Sequence, residues 1–557
     1  MLPSGATVAP VIIATDKTKL TEFSGGKVAY PVYLTLGNIP KALRRKPSKQ
    51  ACVLIAYLPV ETDLLKGTGL GRQQIGSRHQ RLFHDAMRHI LAPLIDAGKN
   101  GIHMTAGNGE VRHVFPILAC YSADFPEQCL VACAKYGTCP KCQSPAKSLN
   151  SSTPSLPRTQ QWTLNIMAEA QKSSKTINQY YNTCMSQDVS GSVYEPFWKD
   201  FPYTDIHTTI TPDVLHQLYQ GVIANLIDWC QVLLTPKELD TRVCALPPAF
   251  GVRHFKNGFS ILSQISGPER KHMARILLGC LVGKVSGKAL STFHSLLDFL
   301  YLAQYKAHDD DTLAYMEEAL RTWQNSKHLI IELGLHPDLN IPKFHSLHHY
   351  IQSIKFFGTT DNYNTEMFEH FHIDFAKEGW RASNKRDAFP QMVNWLSRRE
   401  KISMFDNYLD RMDSMTSNSQ FEPVSFTKPR SCFIAKDPPY LRRPLSTIEE
   451  KHDAPNFSRH LKEFLNSFLE NPTTNRNAHY YQLPFDRLDV WTQFKFQPNN
   501  LSDDSDSEET DTVKAIPKNS PHEPNGRFDS VVVFRSDEAE STGMEGTIYI
   551  FNSILFY

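Results

Sequence analysis

An α/β fold is what this sequence predicts: a mixed sheet, interrupted by a large helical insertion and followed by a small C-terminal β unit. Three observations carry that expectation. Strand-patterned segments crowd the N-terminal part around one amphipathic helix, helical periodicity then takes over for well over a hundred residues, and strand patterning returns near the C-terminus.

In chain order, residues 8–15 form a short apolar run that ends at Asp16. Residues 29–36 alternate in polarity and are rich in β-formers, and residues 51–58 are a second apolar run of the same type. Between about 72 and 97, Leu82, Phe83, Met87, Ile90, Leu91 and Leu94 recur at helical spacing. Residues 114–121 read as a fourth strand, ending near Asp124. Strand, strand, strand, helix, strand, with an acid after the first and fourth, is the layout of a ribonuclease-H-like domain. There the first and fourth strands lie side by side, so two acids can converge on the same metals. The plain alternative is an α/β sheet whose aspartates cap strands, and strand order alone does not separate the two.

Residues 145–165 are rich in Ser, Thr and Pro and read as a loop or linker, and residues 205–335 are mainly helical. Helices resume through about Met412. The expected organisation is a first core segment at 1–144 and a helical insertion at 145–340. The rest of the core follows at 341–412 and an irregular extension at 413–500. An acidic disordered linker at 501–525 and a small, truncated β unit at 526–557 complete it.

With 557 residues the chain can bury a large core. Its 59 basic and 58 acidic residues balance, so any nucleic-acid contact must come from local patches. The start lacks a signal-peptide pattern, and no window approaches eighteen uncharged apolar residues, which argues against a membrane span. Eleven cysteines, an odd and irregular set, suit a reducing compartment, some of them metal-bound.

Cys139-Pro-Lys-Cys142 has the spacing of two thiolates on one tetrahedral zinc, though alone it is half a site. His345 and His349 are one helical turn apart and present two ring nitrogens on one face, while His348 replaces His349 if the segment is not helical. Together they make a Cys₂His₂ set that would tie the insertion to the core. Cys129 and Cys133 are a competing thiol pair, whose spacing suits helix packing equally well.

Several stretches are specific enough to indicate a family. They are Ile12-Ile-Ala-Thr-Asp-Lys-Thr-Lys-Leu-Thr21, Tyr30-Pro-Val-Tyr-Leu-Thr-Leu-Gly-Asn38, Cys139-Pro-Lys-Cys142, Asp213-Val-Leu-His-Gln-Leu-Tyr-Gln-Gly221 and Asn362-Tyr-Asn-Thr-Glu-Met-Phe-Glu369. They resemble the Plavaka transposases of basidiomycete fungi, of the CACTA (En/Spm) group of DNA transposons, from about residue 5 to 500. The wider group is similar in plan to the Transib transposases and the V(D)J recombinase.

The resemblance implies a ribonuclease-H-like core, a DDE triad, a helical insertion before the last acid and a zinc site of two Cys and two His. On this sequence the triad falls on Asp16, Asp124 and Glu369, with Glu366, one turn earlier, as the rival for the last place. These acids would hold Mg²⁺ or Mn²⁺ for DNA cleavage and strand transfer, and Cys139, Cys142, His345 and His349 would hold Zn²⁺. Asp213 and His216 match an acid-x-x-His element of such insertions, although a capping Asp with a partly buried His fits them as well. Lys17, Lys19, Arg381, Lys385 and Arg386 flank the acids and would meet phosphate, as would the Arg44-Arg-Lys46 cluster.

The partners implied are transposon-end and target DNA in the nucleus, with a homodimer left open. Transposases of this kind carry an N-terminal DNA-binding region, and this chain opens directly at the first catalytic strand. The expectation is therefore a transposase without that region, with a catalytically inactive, transposase-derived DNA-binding or interaction protein as the alternative.

Overall fold

A computed structural model describes residues 2–21, 26–60, 69–106, 109–247, 249, 252–416, 432–435, 437–452, 454–466, 483, 485–496, 511–520, 526–534 and 547–551. The chain divides into two compact units, Met1–Thr416 and Ser417–Tyr557.

The first unit is built on a five-stranded sheet. Its strands are β1 (Thr7–Thr15), β2 (Pro31–Leu36), β3 (Cys52–Tyr57), β4 (Ile102–Thr105) and β5 (Val111–Ser122), in the spatial order β3-β2-β1-β5-β4. β1 pairs antiparallel with β2 and parallel with β5. A parallel neighbour needs a crossover, and α1 (Arg72–Asn100) supplies it. The short β4 was not expected. It follows α1 through Gly101, at φ +70°, and forms a hairpin with β5 at the sheet edge. All four residues are exposed, Ile102 and Met104 included, and so short an alternation does not stand out in the sequence.

Alternation along β1 sorts its side chains to two cores. Val11 and Ile13 pack with Phe83, Met87 and Leu91 of α1, whereas Ile12 and Ala14 pack with Phe368, Phe371 and Phe375 beyond the insertion. The sheet is thus covered on both faces, and the last acidic helix is held by its aromatic side. Tyr33 of β2 meets Phe368 and Phe371 with ring centroids 6.1 Å from each. Phe371→Ala is expected to cost about 3–5 kcal/mol for lost burial and the cavity left behind, readable as a shifted urea midpoint.

The region 145–340 divides in two. Residues from Met167 to Ile210 join the core on the α1 face, while those from Val214 onward form a separate helical body with Phe344, Leu347 and Tyr350. In that body Phe344 stacks between Trp229 and Trp323, at 5.4 Å from each. The expected linker at 145–165 is shorter than its composition suggests. A 3₁₀ turn covers Ala146–Ser148 and a helix starts at Gln160, with Thr159 accepting the Trp162 amide at 3.1 Å. The threonine marks a helix cap rather than loop composition.

The second unit corrects two expectations. The stretch 413–500 is not irregular throughout: it holds helices Leu445–Lys451 and Phe457–Asn466 and strands Tyr440–Pro444, Arg487–Val490 and Gln493–Phe496. Ile448, Phe457 and Val490 form a small core there. The supposed disordered linker at 501–525 includes a strand, Asp511–Ile516, that pairs antiparallel with Gln493–Phe496 and buries Val513 and Ala515. The alternation after the acidic run decides the outcome, because those apolar side chains find a partner sheet. The acidic residues 501–510 and the apolar tail 552–557 lie outside the described residues. Strands Ser530–Phe534 and Thr547–Phe551 form a hairpin, as expected of a C-terminal β unit.

Candidate active site and metal centre

Sheet register brings the first two acids together. Ala14 of β1 pairs with Ser122 of β5, so Asp16 and Asp124 each lie two residues beyond one matched pair, at the same end of parallel neighbours. Asp124 is the N-cap of α2 (Phe125–Val131), where its Oδ1 accepts the Glu127 amide at 2.9 Å. The helix Thr365–Phe371 brings Glu369 to the same place. It is docked by its aromatic face and by Ser122, whose hydroxyl donates to the Tyr363 carbonyl at 2.6 Å.

The other two carboxylates act on Asp16. Burial, with the negative charges of Asp124 and Glu369, pushes Asp16 up to about 7, against the opposing pull of His216. Burial likewise raises Asp124, the hydrogen bond from the Glu127 amide opposing it.

His216 is the counterweight. Its Nδ1 lies 2.7 Å from Asp213 Oδ2 and its Nε2 3.0 Å from Glu369 Oε1. Burial alone would lower its pKa, but these two carboxylates outweigh that and raise it to about 11. Asp213 is buried at the N-cap of the π-type segment Val214–Ile223, accepting the Leu215 and His216 amides and the Thr365 hydroxyl, the last at 2.7 Å. Asp213 therefore both caps a helix and clamps the acidic helix to the insertion. Glu366 takes no part: it pairs with Lys271 at 2.6 Å, facing the insertion.

Glu127 was not foreseen. Its Oε1 accepts hydrogen bonds from Thr15, at 2.6 Å, and from the Tyr30 hydroxyl, so it braces the residue before Asp16. Burial pushes it up to about 7, those hydroxyls opposing. The only sequence signal was an acid three residues after a helix-capping Asp, which reads as an ordinary first-turn Glu.

Beside this cluster, the ligand atoms of Cys139, Cys142, His345 and His349 all lie within 4.8 Å of one another. Cys139 Sγ is 3.2 Å from His349 Nε2, and Cys142 Sγ is 3.2 Å from His345 Nε2. His345 Nδ1 lies 3.1 Å from the Leu149 carbonyl, which fixes the ring with Nε2 toward the thiols. The amides of Lys141 and Cys142 both approach Cys139 Sγ at 3.4 Å. Burial raises the Cys139 thiol, while hydrogen bonds from Cys139 and from both imidazoles lower Cys142 strongly.

The segment carrying the histidines is not one helix. A turn at Pro342–His345 gives way to a 3₁₀ turn at Ser346–His349, yet His349 joins the cluster, while His348 faces Gln324 at 3.2 Å. Cys129 and Cys133 do not compete: they are buried, with Cys133 3.5 Å from His84 Nε2 and Cys129 facing the Thr138 carbonyl. Lys141 is more than a turn residue, since its amine donates to the carbonyls of His207, Thr208 and Ile210.

Of the basic candidates, Lys17, Lys19, Arg381, Lys385 and Arg386 are exposed. Arg44 is not available to phosphate: it is buried and donates to the Asn362 carbonyl and side chain at 2.9 and 3.0 Å. Arg45 and Lys41 pair with Asp361, so this cluster anchors the loop before the acidic helix.

A family model described as Plavaka transposase matches residues 1–230. Over residues 1–230 the chain is similar to the Plavaka transposases. The matched part holds Asp16, Asp124, the Cys139–Cys142 pair, Asp213 and His216, whereas His345, His349 and Glu369 lie beyond it. A second model, a domain of unknown function (DUF6830), matches residues 409–548. No curated protein matches. Among the described residues no helix is long and apolar enough to cross a membrane.

Proposed function

We propose that the chain is a DDE-type DNA transposase of ribonuclease-H-like fold, in which Asp16, Asp124 and Glu369 hold two Mg²⁺ or Mn²⁺ ions for DNA cleavage and strand transfer. The observation that carries this reading is the convergence of three carboxylates from the end of β1, the start of α2 and the helix beyond the insertion, close enough that Asp124 and Glu369 raise the proton affinity of Asp16. The sheet order and the parallel β1–β5 pair support the fold assignment. The donor set fits the ions: hard oxygens that repel one another when empty suit a divalent cation.

Two such ions, when bound, activate a water and stabilise the departing 3′ oxygen. The protein's own part is positioning. His216, fixed by Asp213, orients Glu369; Glu127 braces β1 behind Asp16; Lys17, Lys19, Arg381, Lys385 and Arg386 face solvent where phosphates would pass. Cys139, Cys142, His345 and His349 would hold a structural Zn²⁺, with ligand types unlike those of the catalytic acids. DNA as substrate places the protein's action in the nucleus.

A non-catalytic, transposase-derived DNA-binding protein is the competing reading, favoured by the ion pair in which His216 occupies Glu369. Nicking of a supercoiled plasmid separates the two: nicks that require Mg²⁺ or Mn²⁺ and vanish with EDTA support the enzyme, and binding without nicking overturns it.

Asp16 also sets a pH dependence. Its folded-state pKa of about 7 lies above the ordinary 3.8, so between those values the folded state binds more protons than the unfolded state. The metal-free protein should therefore lose stability as pH rises through that window. Mg²⁺ favours the deprotonated carboxylate, so its stabilising effect should be larger at pH 8 than at pH 5.5. Thermal melts with and without Mg²⁺ check this, and an equal effect at both pH values would contradict it.

A further inference from the structure

A cleft of ≈ 580 Å³ opens next to the acid cluster, within the size range of ligand sites. Lys17, the residue after Asp16, lies at its edge, and Tyr30, hydrogen-bonded to Glu127, forms part of its wall. Tyr30 and Phe83 lie nearly parallel at 6.0 Å, and Tyr136 stands 70 % exposed at the rim. Gln80 and Ser190, hydrogen-bonded at 2.7 Å, add an amide and a hydroxyl to the wall. Among the described residues none of the lining is acidic, and it includes Lys17 and Lys135, the latter paired with Asp188 at 3.4 Å.

Flat aromatic surface, a few hydrogen-bonding groups and a cationic mouth together suit one planar, polar ring attached to an anion. That is the chemistry of a nucleotide. Fully paired DNA cannot offer such a ring, because its bases are stacked and paired inside the duplex.

We propose that this cleft receives one unpaired nucleobase of the DNA strand that passes over the acids. The base stacks on Tyr136 at the rim, and Lys17 meets the neighbouring phosphate. Stacking on an aromatic side chain tolerates any base, so the cleft selects for an unpaired position rather than for a sequence. The inference rests on the DNA-cleavage reading above, since it takes the substrate strand from it.

The test uses the full chain in Ca²⁺, so that DNA binds without being cut. The probes are a blunt oligonucleotide duplex and the same duplex with a short single-stranded tail, in which one tail position carries 5-iododeoxyuridine. The tailed duplex should bind about tenfold more tightly, and irradiation should cross-link the tail to a peptide containing Tyr136 or Tyr181, which also lines the cleft. Tyr136→Ala, at an exposed position that leaves the fold intact, should remove the preference, and Tyr136→Phe should keep it. Equal binding of the two probes, or cross-links only elsewhere, overturns the cleft while leaving the DNA reading in place. Failure to bind either probe removes both.

Discussion

Glu369→Gln and Asp16→Asn should each lower Mg²⁺-dependent DNA cleavage by about 10³-fold or more. Charge stabilisation by a bound ion amounts to several kcal/mol, and each 1.36 kcal/mol is a factor of about ten in rate. A neutral amide keeps the shape of the side chain and removes the charge that holds the ion. Folding should survive both changes. Glu369 is 37 % exposed, and Asp16 is a carboxylate whose charged form burial disfavours, so Asp16→Asn should stabilise the metal-free protein. Glu366→Gln is the internal control: its partner is Lys271, and cleavage should persist. Plasmid nicking with purified variants, beside thermal melts, checks all three. Full activity in Asp16→Asn or Glu369→Gln would sink the proposed triad.

Cys142→Ser should lose bound zinc and a large share of stability. The pair Cys142–His345 closes a loop of 203 residues, and Cys139–His349 one of 210. Metal ligation of that kind restricts the unfolded chain as well as holding the native one, and structural zinc in small domains contributes about 10–16 kcal/mol at neutral pH. Even a fraction of that lowers the melting temperature by several degrees. The wild-type protein should carry one zinc per chain by elemental analysis. Cys142→Ser and His345→Ala should carry none, and His348→Ala and Cys133→Ser should keep it. Retention of zinc by Cys142→Ser, or its loss from His348→Ala, would refute the ligand set. Because the site joins residues 139–142 to the segment leading to Glu369, its loss should also reduce cleavage.

Much of this architecture was readable in the chain. Apolar runs and alternation gave β1, β2, β3 and β5 within a few residues, and helical spacing gave α1, because each buries a face whose period the sequence records. Asp16 and Asp124 were legible because they stand just after strands, and the thiols and imidazoles of the candidate metal centre because Cys three apart and His four apart are short-range patterns. What stayed hidden had no local signature. β4 buries nothing; the strand Asp511–Ile516 depends on a partner sheet; Arg44 looks like part of a surface cluster until the Asn362 carbonyl comes to it from 318 residues away.

Which residue types could do chemistry, and on which elements they sit, was set by local pattern: Asp16 and Asp124 at strand ends, Glu369 on a helix, two thiols and three histidines in two short clusters. The direction of near neighbours came from packing. Glu369 faces His216 while Glu366 faces Lys271, and His349 faces the thiols while His348 faces Gln324. These directions follow from the packing of the Phe368–Phe371 face on the sheet and from the 3₁₀ turn that carries the histidines. Glu127 and the His216 bridge likewise exist only as distances between segments far apart in the chain. A side chain's type is local information, but the direction in which it points is set by what its element packs against.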